Sequence, residues 1–236
     1  MRISVAMATY NGEKYLREQL DSILANLTPE DEIVVSDDGS EDSTWAILEE
    51  YQGRSEIPIR LVKGPQMGVI SNFERALIAC KGDYIFLADQ DDVWAPDKVE
   101  KVMKAFRDHV QLVMHDAVVY NESMNTVLME SFFEYRHSKA GVWANIMKNS
   151  YMGCCMAFRR ELVRRILPIP TNIQMHDQWI GIISDYFYGK SVLLDEKLLS
   201  YRRHNSAITD FKRNSLPKMI KNRWILVTQF LKRIKG

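Results

Sequence analysis

An apolar run of strand length, Tyr84-Ile85-Phe86-Leu87-Ala88, ends abruptly in Asp89-Gln90-Asp91-Asp92-Val93-Trp94. Asp is a poor strand former and costly to bury, so these carboxylates must lie past the strand's carboxyl end. In an open α/β sheet that edge is where ligands bind. Three acids so close repel one another unless something positive neutralises them, and a hard divalent cation suits oxygen ligands. The plainer use of the same residues is a solvated acidic turn capping a helix that begins near Pro96.

Two further strand ends carry polar clusters. Ile3–Ala8 runs into Thr9-Tyr10-Asn11-Gly12, and Glu32–Ser36 into Asp37-Asp38-Gly39-Ser40. If the strands are parallel, all three clusters fall on one edge and make a site for a nucleotide and a metal. Asp38 could accept from a base imide N–H, and Tyr10 could cover the base face. Asp89 would then meet a ribose hydroxyl, and Asp91 a metal bridging two phosphates. Taken singly, Asp37-Asp38-Gly39-Ser40 is also a good Asx turn, and Tyr10 a residue that packs at a sheet end. No GxGxxG follows the first strand and no GxxxxGK[ST] occurs, which excludes the dinucleotide and P-loop readings.

The elements that position these clusters alternate. Helical spacing over Tyr15–Leu27 stops at Pro29; a helix over 43–51, a strand over 59–63 and a helix over 71–80 follow. Such a rhythm predicts a mostly parallel sheet with right-handed crossovers. Beyond a helix from Pro96 to about Arg107 the pattern loosens. Short strands are expected at 112–114, 117–120, 154–158, 191–194 and 198–201, and helices at 141–149, 161–167 and 176–188, with a loop or hairpin over 121–138. No linker divides the chain, so one α/β domain is expected over 1–210, followed by a basic amphipathic helix in 211–236.

Basic and acidic residues balance at 31 each, but unevenly. From Phe211 onward there are eight lysines and arginines and no acid, leaving 23 basic against 31 acidic residues before it. The tail places Leu216, Met219, Ile220, Trp224, Val227, Phe230, Leu231 and Ile234 to one side. That pattern fits an anionic membrane surface; packing on the domain or a homodimer contact are its other uses. Nucleic acid is a poor partner for so acidic a domain. Cys80, Cys154 and Cys155 lack metal-ligand spacing and read as reduced thiols of a cytoplasmic protein. Met1-Arg2 leads straight into the first strand, so no signal peptide is expected, and no apolar stretch reaches membrane-spanning length.

Taken together these stretches resemble the family 2 glycosyltransferases of GT-A fold. The resemblance rests on Ala8–Gly12, Ser36–Ser40, Gly68 with Asn72-Phe73, Ala88–Trp94, His176-Asp177-Gln178-Trp179 and Tyr201-Arg202-Arg203-His204. The last two, with the Asp-Gln-Asp-Asp-x-Trp form, are most similar to the rhamnosyltransferase-like branch that builds surface polysaccharides. The resemblance implies a nucleotide-binding half over 1–115 and an acceptor-binding half over 116–210. It implies that Thr9, Tyr10, Asn11, Asp38, Asn72 and Asp89 hold the nucleotide, that Asp91 and His204 approach a Mn²⁺ or Mg²⁺ ion, and that Asp177 is the catalytic base. Asp92, Trp94, His176 and Trp179 would shape the acceptor or sugar pocket. Where many relatives show Glu-Asp, this chain has His176-Asp177.

Inverting transfer needs a base for the acceptor hydroxyl and positive charge on the departing diphosphate. The half-apolar flanks of Asp177 would raise its pKa toward that task. The expected reaction moves a sugar, dTDP-L-rhamnose being the first donor, to a glycan or polyprenyl-linked glycan hydroxyl, at the inner face of the cell membrane. A UDP-hexose or UDP-N-acetylhexosamine donor is the alternative, and a non-catalytic nucleotide-sugar binder a further one. A nucleotidyltransferase would need a Gly-rich basic loop where Thr9–Lys14 stands.

Overall fold

The computed structural model describes residues 1–107, 109–204 and 215–235. The first half alternates as expected: β1 (Ile3–Thr9), α1 (Leu16–Leu24), β2 (Glu32–Asp37), α2 (Thr44–Arg54), β3 (Ile59–Lys63), α3 (Val69–Ala79) and β4 (Tyr84–Ala88). The second half runs β5 (Val93–Trp94), α4 (Lys98–Ala105), β6 (Leu112–Tyr120), β7 (Val127–Met129), α5 (Phe132–Arg136), α6 (Val142–Met147), β8 (Met156–Arg159), α7 (Val163–Ile166), α8 (His176–Tyr188), β9 (Val192–Arg202) and α9 (Leu216–Lys235).

Among the described residues nine strands share one sheet in the order β3-β2-β1-β4-β8-β6-β9-β5, with β7 pairing β6 from the side. β1 pairs in parallel with β2 and β4, and β2 with β3. β1, β2 and β4 are buried along their whole length. That explains why they read as continuous apolar runs: helices cover both faces of a parallel sheet. Register sets Thr9 opposite Asp37 and Met7 opposite Ala88. The three polar clusters therefore leave the sheet along one edge.

The second half departs from expectation. The two short strands anticipated at 112–114 and 117–120 are one strand, β6, whose pairing with β9 shifts register around Asp116. Asp116 is buried there, but its carboxylate accepts from the Ala117 N–H (2.8 Å), the Ser131 hydroxyl (2.5 Å) and the Phe133 N–H (2.9 Å). A buried acid so satisfied can sit inside a strand. The pieces at 191–194 and 198–201 are likewise one strand, β9. The 121–138 stretch is a hairpin arm, β7, plus α5, whose N-cap Ser131 accepts from the Glu134 N–H. β8 joins β4 and β6 antiparallel, so the sheet is mixed.

α9 docks on this second half. Leu226 and Phe230 are buried, Phe230 edge-on to Tyr186 with ring centroids 5.3 Å apart. The Arg233 guanidinium donates to the carbonyls of Arg165 (2.7 Å), Leu167 (2.7 Å) and Pro168 (2.6 Å). The 210/211 boundary lies outside the described residues. Among the described residues no helix is long and apolar enough to cross a membrane.

Candidate active site

A cleft of about 1610 Å³ opens at the carboxyl ends of β1, β2 and β4 and is closed from the other side by residues 146–154, the start of α8 and the first half of α9. On its first-half wall, the Gln90 side chain grips the Tyr10 backbone twice, accepting from its N–H (2.8 Å) and donating to its carbonyl (3.0 Å). Gly12 permits this, because a Cβ there would lie 2.4 Å from the Gln90 Oε1. The Tyr10 ring is left 55% exposed in the cleft. Asn11, at φ 49°, accepts from the Glu41 N–H and donates its own N–H to the Ser40 hydroxyl.

Asp38 lines the same wall and pins the loop after β3, accepting from the N–H groups of Gln66 (2.7 Å) and Gly68 (2.8 Å). Each oxygen keeps a further lone pair for a ligand. Asn72 donates to the Thr9 carbonyl (3.1 Å), while its buried Oδ1 has no hydrogen-bond partner. Thr9 corrects its expectation in part. It lines the cleft, but its hydroxyl is buried and donates its proton to Asp37 (2.7 Å), joining two strand ends.

The acidic cluster divides by burial. Asp89 and Asp91 line the cleft, and the Asp91 Oδ2 lies 2.7 Å from the His204 Nε2. Burial, then the charges of Asp91 and Asp177, push the Asp89 carboxyl up to about 7. Asp92 is wholly buried, accepts from the Arg202 N–H (3.1 Å) and leaves its Oδ2 unpaired. Burial, then the charges of Asp91 and Asp89, raise its pKa well above the usual carboxylate range. It lies behind the cleft, not in a sugar pocket.

Two residues given no role from sequence organise this cluster. Arg202, buried, also donates its Nε to the Asp91 carbonyl (2.9 Å), one terminal nitrogen to the Glu122 carbonyl (2.8 Å) and the other to the Glu18 carboxylate. It thereby holds the end of β9, and with it His204, against the acidic turn. Lys98, also buried, donates to the Cys154 carbonyl (2.9 Å) and sits 3.8 Å from the Trp94 ring centroid. Burial lowers its pKa to about 8 against the pull of neighbouring acids. Arg202 stood inside a quoted motif; Lys98 carried no signal, because its partners are remote in sequence.

Opposite stands the first turn of α8. The Asp177 Oδ1 accepts from the Gln178 N–H (2.5 Å) and the Asn149 amide (3.3 Å), and burial raises its carboxyl from the ordinary 3.8 to about 6. His176 lines the cleft although only 3% exposed, stacked on Phe73 with centroids 4.2 Å apart. Neither ring nitrogen has a partner, and burial lowers its pKa to about 4. Trp94 and Trp179 overturn the expectation of sugar platforms. Trp94 packs on Phe86 and Lys98, and Trp179, wholly buried, donates to the Ile166 carbonyl (2.9 Å). Both belong to the core.

Asp91 and His204, 2.7 Å apart, offer a carboxylate oxygen and an imidazole, donor types that a divalent cation takes, with Asp89 on the same cleft wall. Asp89 also lies with the buried Asp92 and Cys154 in a cluster whose ligand atoms are within 4.8 Å of one another, a set less suited to the ion. The Cys155 hydrogen bond, then burial and nearby acids, hold the Cys154 thiol protonated.

The open sheet with its acid-lined cleft is a GT-A fold. S. aureus TarS, crystallised with UDP-GlcNAc, superposes with a TM-score of 0.76 at 20% identity, covering 98% of this chain and 67% of that one. A mannosyltransferase from Pyrobaculum calidifontis, in complex with GDP-Man and Mn²⁺, does so at 0.67 and 19% identity, covering 87% and 58%. At these identities the likeness establishes the fold. Residues 4–167 match the model of Glycosyl transferase family 2, and the chain belongs to that family. An uncharacterized glycosyltransferase of Nostoc sp. is 28% identical over 213 residues, 87% of this chain and 66% of its own length. The chain thus spans about two thirds or less of the length of the first relatives it matches.

Proposed function

We propose that the chain is an inverting glycosyltransferase that moves a sugar from a nucleoside diphosphate to a hydroxyl of a glycan or polyprenyl-linked glycan, with residues 1–115 taking the donor and 116–210 the acceptor. The observation that carries this reading is the meeting of Asp89, Asp91, His204 and Asp177 in one cleft, where the charge of Asp177 is felt by Asp89. Asp38, Tyr10, Asn11 and the open Oδ1 of Asn72 are suited to the nucleoside. Asp89, Asp91 and His204 would hold Mn²⁺ or Mg²⁺, which when bound supplies positive charge to the departing diphosphate.

Asp177 receives the acceptor proton. As the acceptor oxygen bonds to the anomeric carbon, the bond from that carbon to the phosphate oxygen breaks and its electron pair leaves with the diphosphate. A carboxyl that titrates near 6 is ionised at neutral pH and still a useful proton acceptor. His176, neutral beside it, offers one donor and one acceptor to sugar hydroxyls.

dTDP-L-rhamnose is the first donor to try, on the strength of the His176–Trp179 and Tyr201–His204 motifs. A UDP-sugar is the second, supported by the UDP-GlcNAc of the TarS structure. A thermal-shift screen of dTDP, UDP, GDP and their sugars, with and without Mn²⁺, tests both. Stabilisation by one sugar nucleotide above its parent diphosphate, with product formed from it, supports the reading. Binding without turnover by any acceptor leaves a nucleotide-sugar binder, and no response to any diphosphate removes the transferase reading.

A further inference from the structure

α9 carries more apolar surface than the domain covers. Its packed face holds the buried Leu226 and Phe230, with Asn222, Gln229 and Arg233 bonded to Gln174, Asn172 and the turn before Ile169. At about 100° per residue, Leu216, Ile220, Trp224 and Leu231 fall on the neighbouring stripe. They are 67, 65, 73 and 43% exposed. The next stripe holds Lys221, Lys232 and Lys235, with Lys218 beyond, all exposed. The helix therefore has a docked apolar face, a free apolar face and a basic face, side by side.

α6 enlarges the free face. Trp143 and Met147, one turn apart, are 73% and 61% exposed, and Arg223 of α9 donates to the Met147 carbonyl (3.1 Å from Nε). Exposed tryptophans beside exposed lysines are what a lipid headgroup boundary selects, the rings entering the acyl edge and the ammonium groups meeting phosphate. A second copy is a poorer occupant. Two-fold pairing of the face would bring the same lysines of both copies together with no acid on α9 to answer them.

We propose that the α6–α9 face docks on an anionic lipid surface. Met219, Asn222 and Arg223 of the same helix line the cleft, so docking holds the cleft mouth at the bilayer. Only the corollary, that a lipid-linked acceptor meets the cleft there, rests on the transfer reading.

Flotation of the full chain with vesicles of phosphatidylcholine, with and without phosphatidylglycerol, tests this at low and high salt. Binding is expected to the anionic vesicles alone and to weaken with salt. Combining Trp143→Ser with Trp224→Ser should weaken it about tenfold or more, with melting temperature and the thermal shift given by UDP unchanged. Lys218→Glu with Lys221→Glu should do the same through charge. Absence of vesicle binding by the native chain, or equal binding by the tryptophan variant, overturns the proposal. So does a dimer in sedimentation that the same substitutions dissolve. UDP binding is read on the same samples, so a failed donor reading and a failed docking reading are told apart.

Discussion

Asp177 and His176 are consecutive residues on the first turn of α8, and burial drives both toward their neutral forms. The carboxyl rises to about 6 and the imidazole falls to about 4. For a base the consequence is kinetic. With donor and acceptor in hand, kcat/KM should climb as pH passes through 6 and level off above it, and a flat profile from 5 to 8 would remove Asp177 from the role. The consequence for stability has the opposite sign. The folded carboxyl holds its proton more tightly than the unfolded one, which titrates near 3.8. Its contribution is therefore full below that value and declines as pH rises to about 6, by about 3 kcal/mol. Asp177→Asn should thus melt higher than the native chain at neutral pH while losing about 10²- to 10⁴-fold in turnover. A variant that lost both stability and activity would point to a structural carboxylate. His176→Phe, which keeps the stack on Phe73 and removes two unpaired nitrogens, should raise KM for the sugar donor about three- to tenfold. Free diphosphate should bind it as before; equal loss for both ligands would place the ring's contribution at the nucleotide.

At the scale of elements, the site depends on two segments remote in sequence being held together. Arg202 performs this by reaching the Asp91 carbonyl, Glu122 and Glu18 from the end of β9. Arg202→Met leaves the carbonyls of Asp91 and Glu122 without their donor, while the exposed Glu18 turns to water, and a loss of about 1–3 kcal/mol in denaturant unfolding is expected. Because His204 follows two residues later, Mn²⁺ should also bind the surviving fold more weakly; unchanged metal affinity would show that β9 sets His204 without this bracket. The same geometry explains what sequence could reveal. An acid run after an apolar strand is a local pattern, and parallel topology alone sends Thr9, Asp38 and Asp89 to one edge. Trp94 and Trp179 lie in the core and not in a pocket, because residue type does not say which face of an element meets the core. Arg202 and Lys98 declare themselves only through partners up to 184 and 56 residues away. β6 and β9 were broken in two because their register shift lies at a buried acid, whose three hydrogen-bond donors come from two separate segments.

Across the whole molecule, α9 closes the cleft opposite the first-half wall that we propose takes the nucleoside. Leu226 lines the cleft and is itself buried, and Phe230, a turn further on, anchors the helix against Tyr186. Phe230→Ala removes that anchor and opens a cavity under the helix, at a cost of about 3–5 kcal/mol. The loss should fall unevenly. Tyr10, Asp38 and Asp89 stand on the opposite wall, held by Gln90, the 66–68 backbone and Gln19. The variant should therefore keep its affinity for the nucleoside diphosphate while KM for the acceptor rises, since Asn222, Arg223 and Leu226 shift with the helix. Trp224→Ser, on the free face, should leave the melting temperature and, with a water-soluble acceptor, both constants alone. If Phe230→Ala instead weakened nucleotide binding and left the acceptor constant untouched, the division of labour between the two walls would be wrong. The comparison separates a helix that shapes the cleft from one that merely adds stability, because only the former makes the loss specific to one substrate.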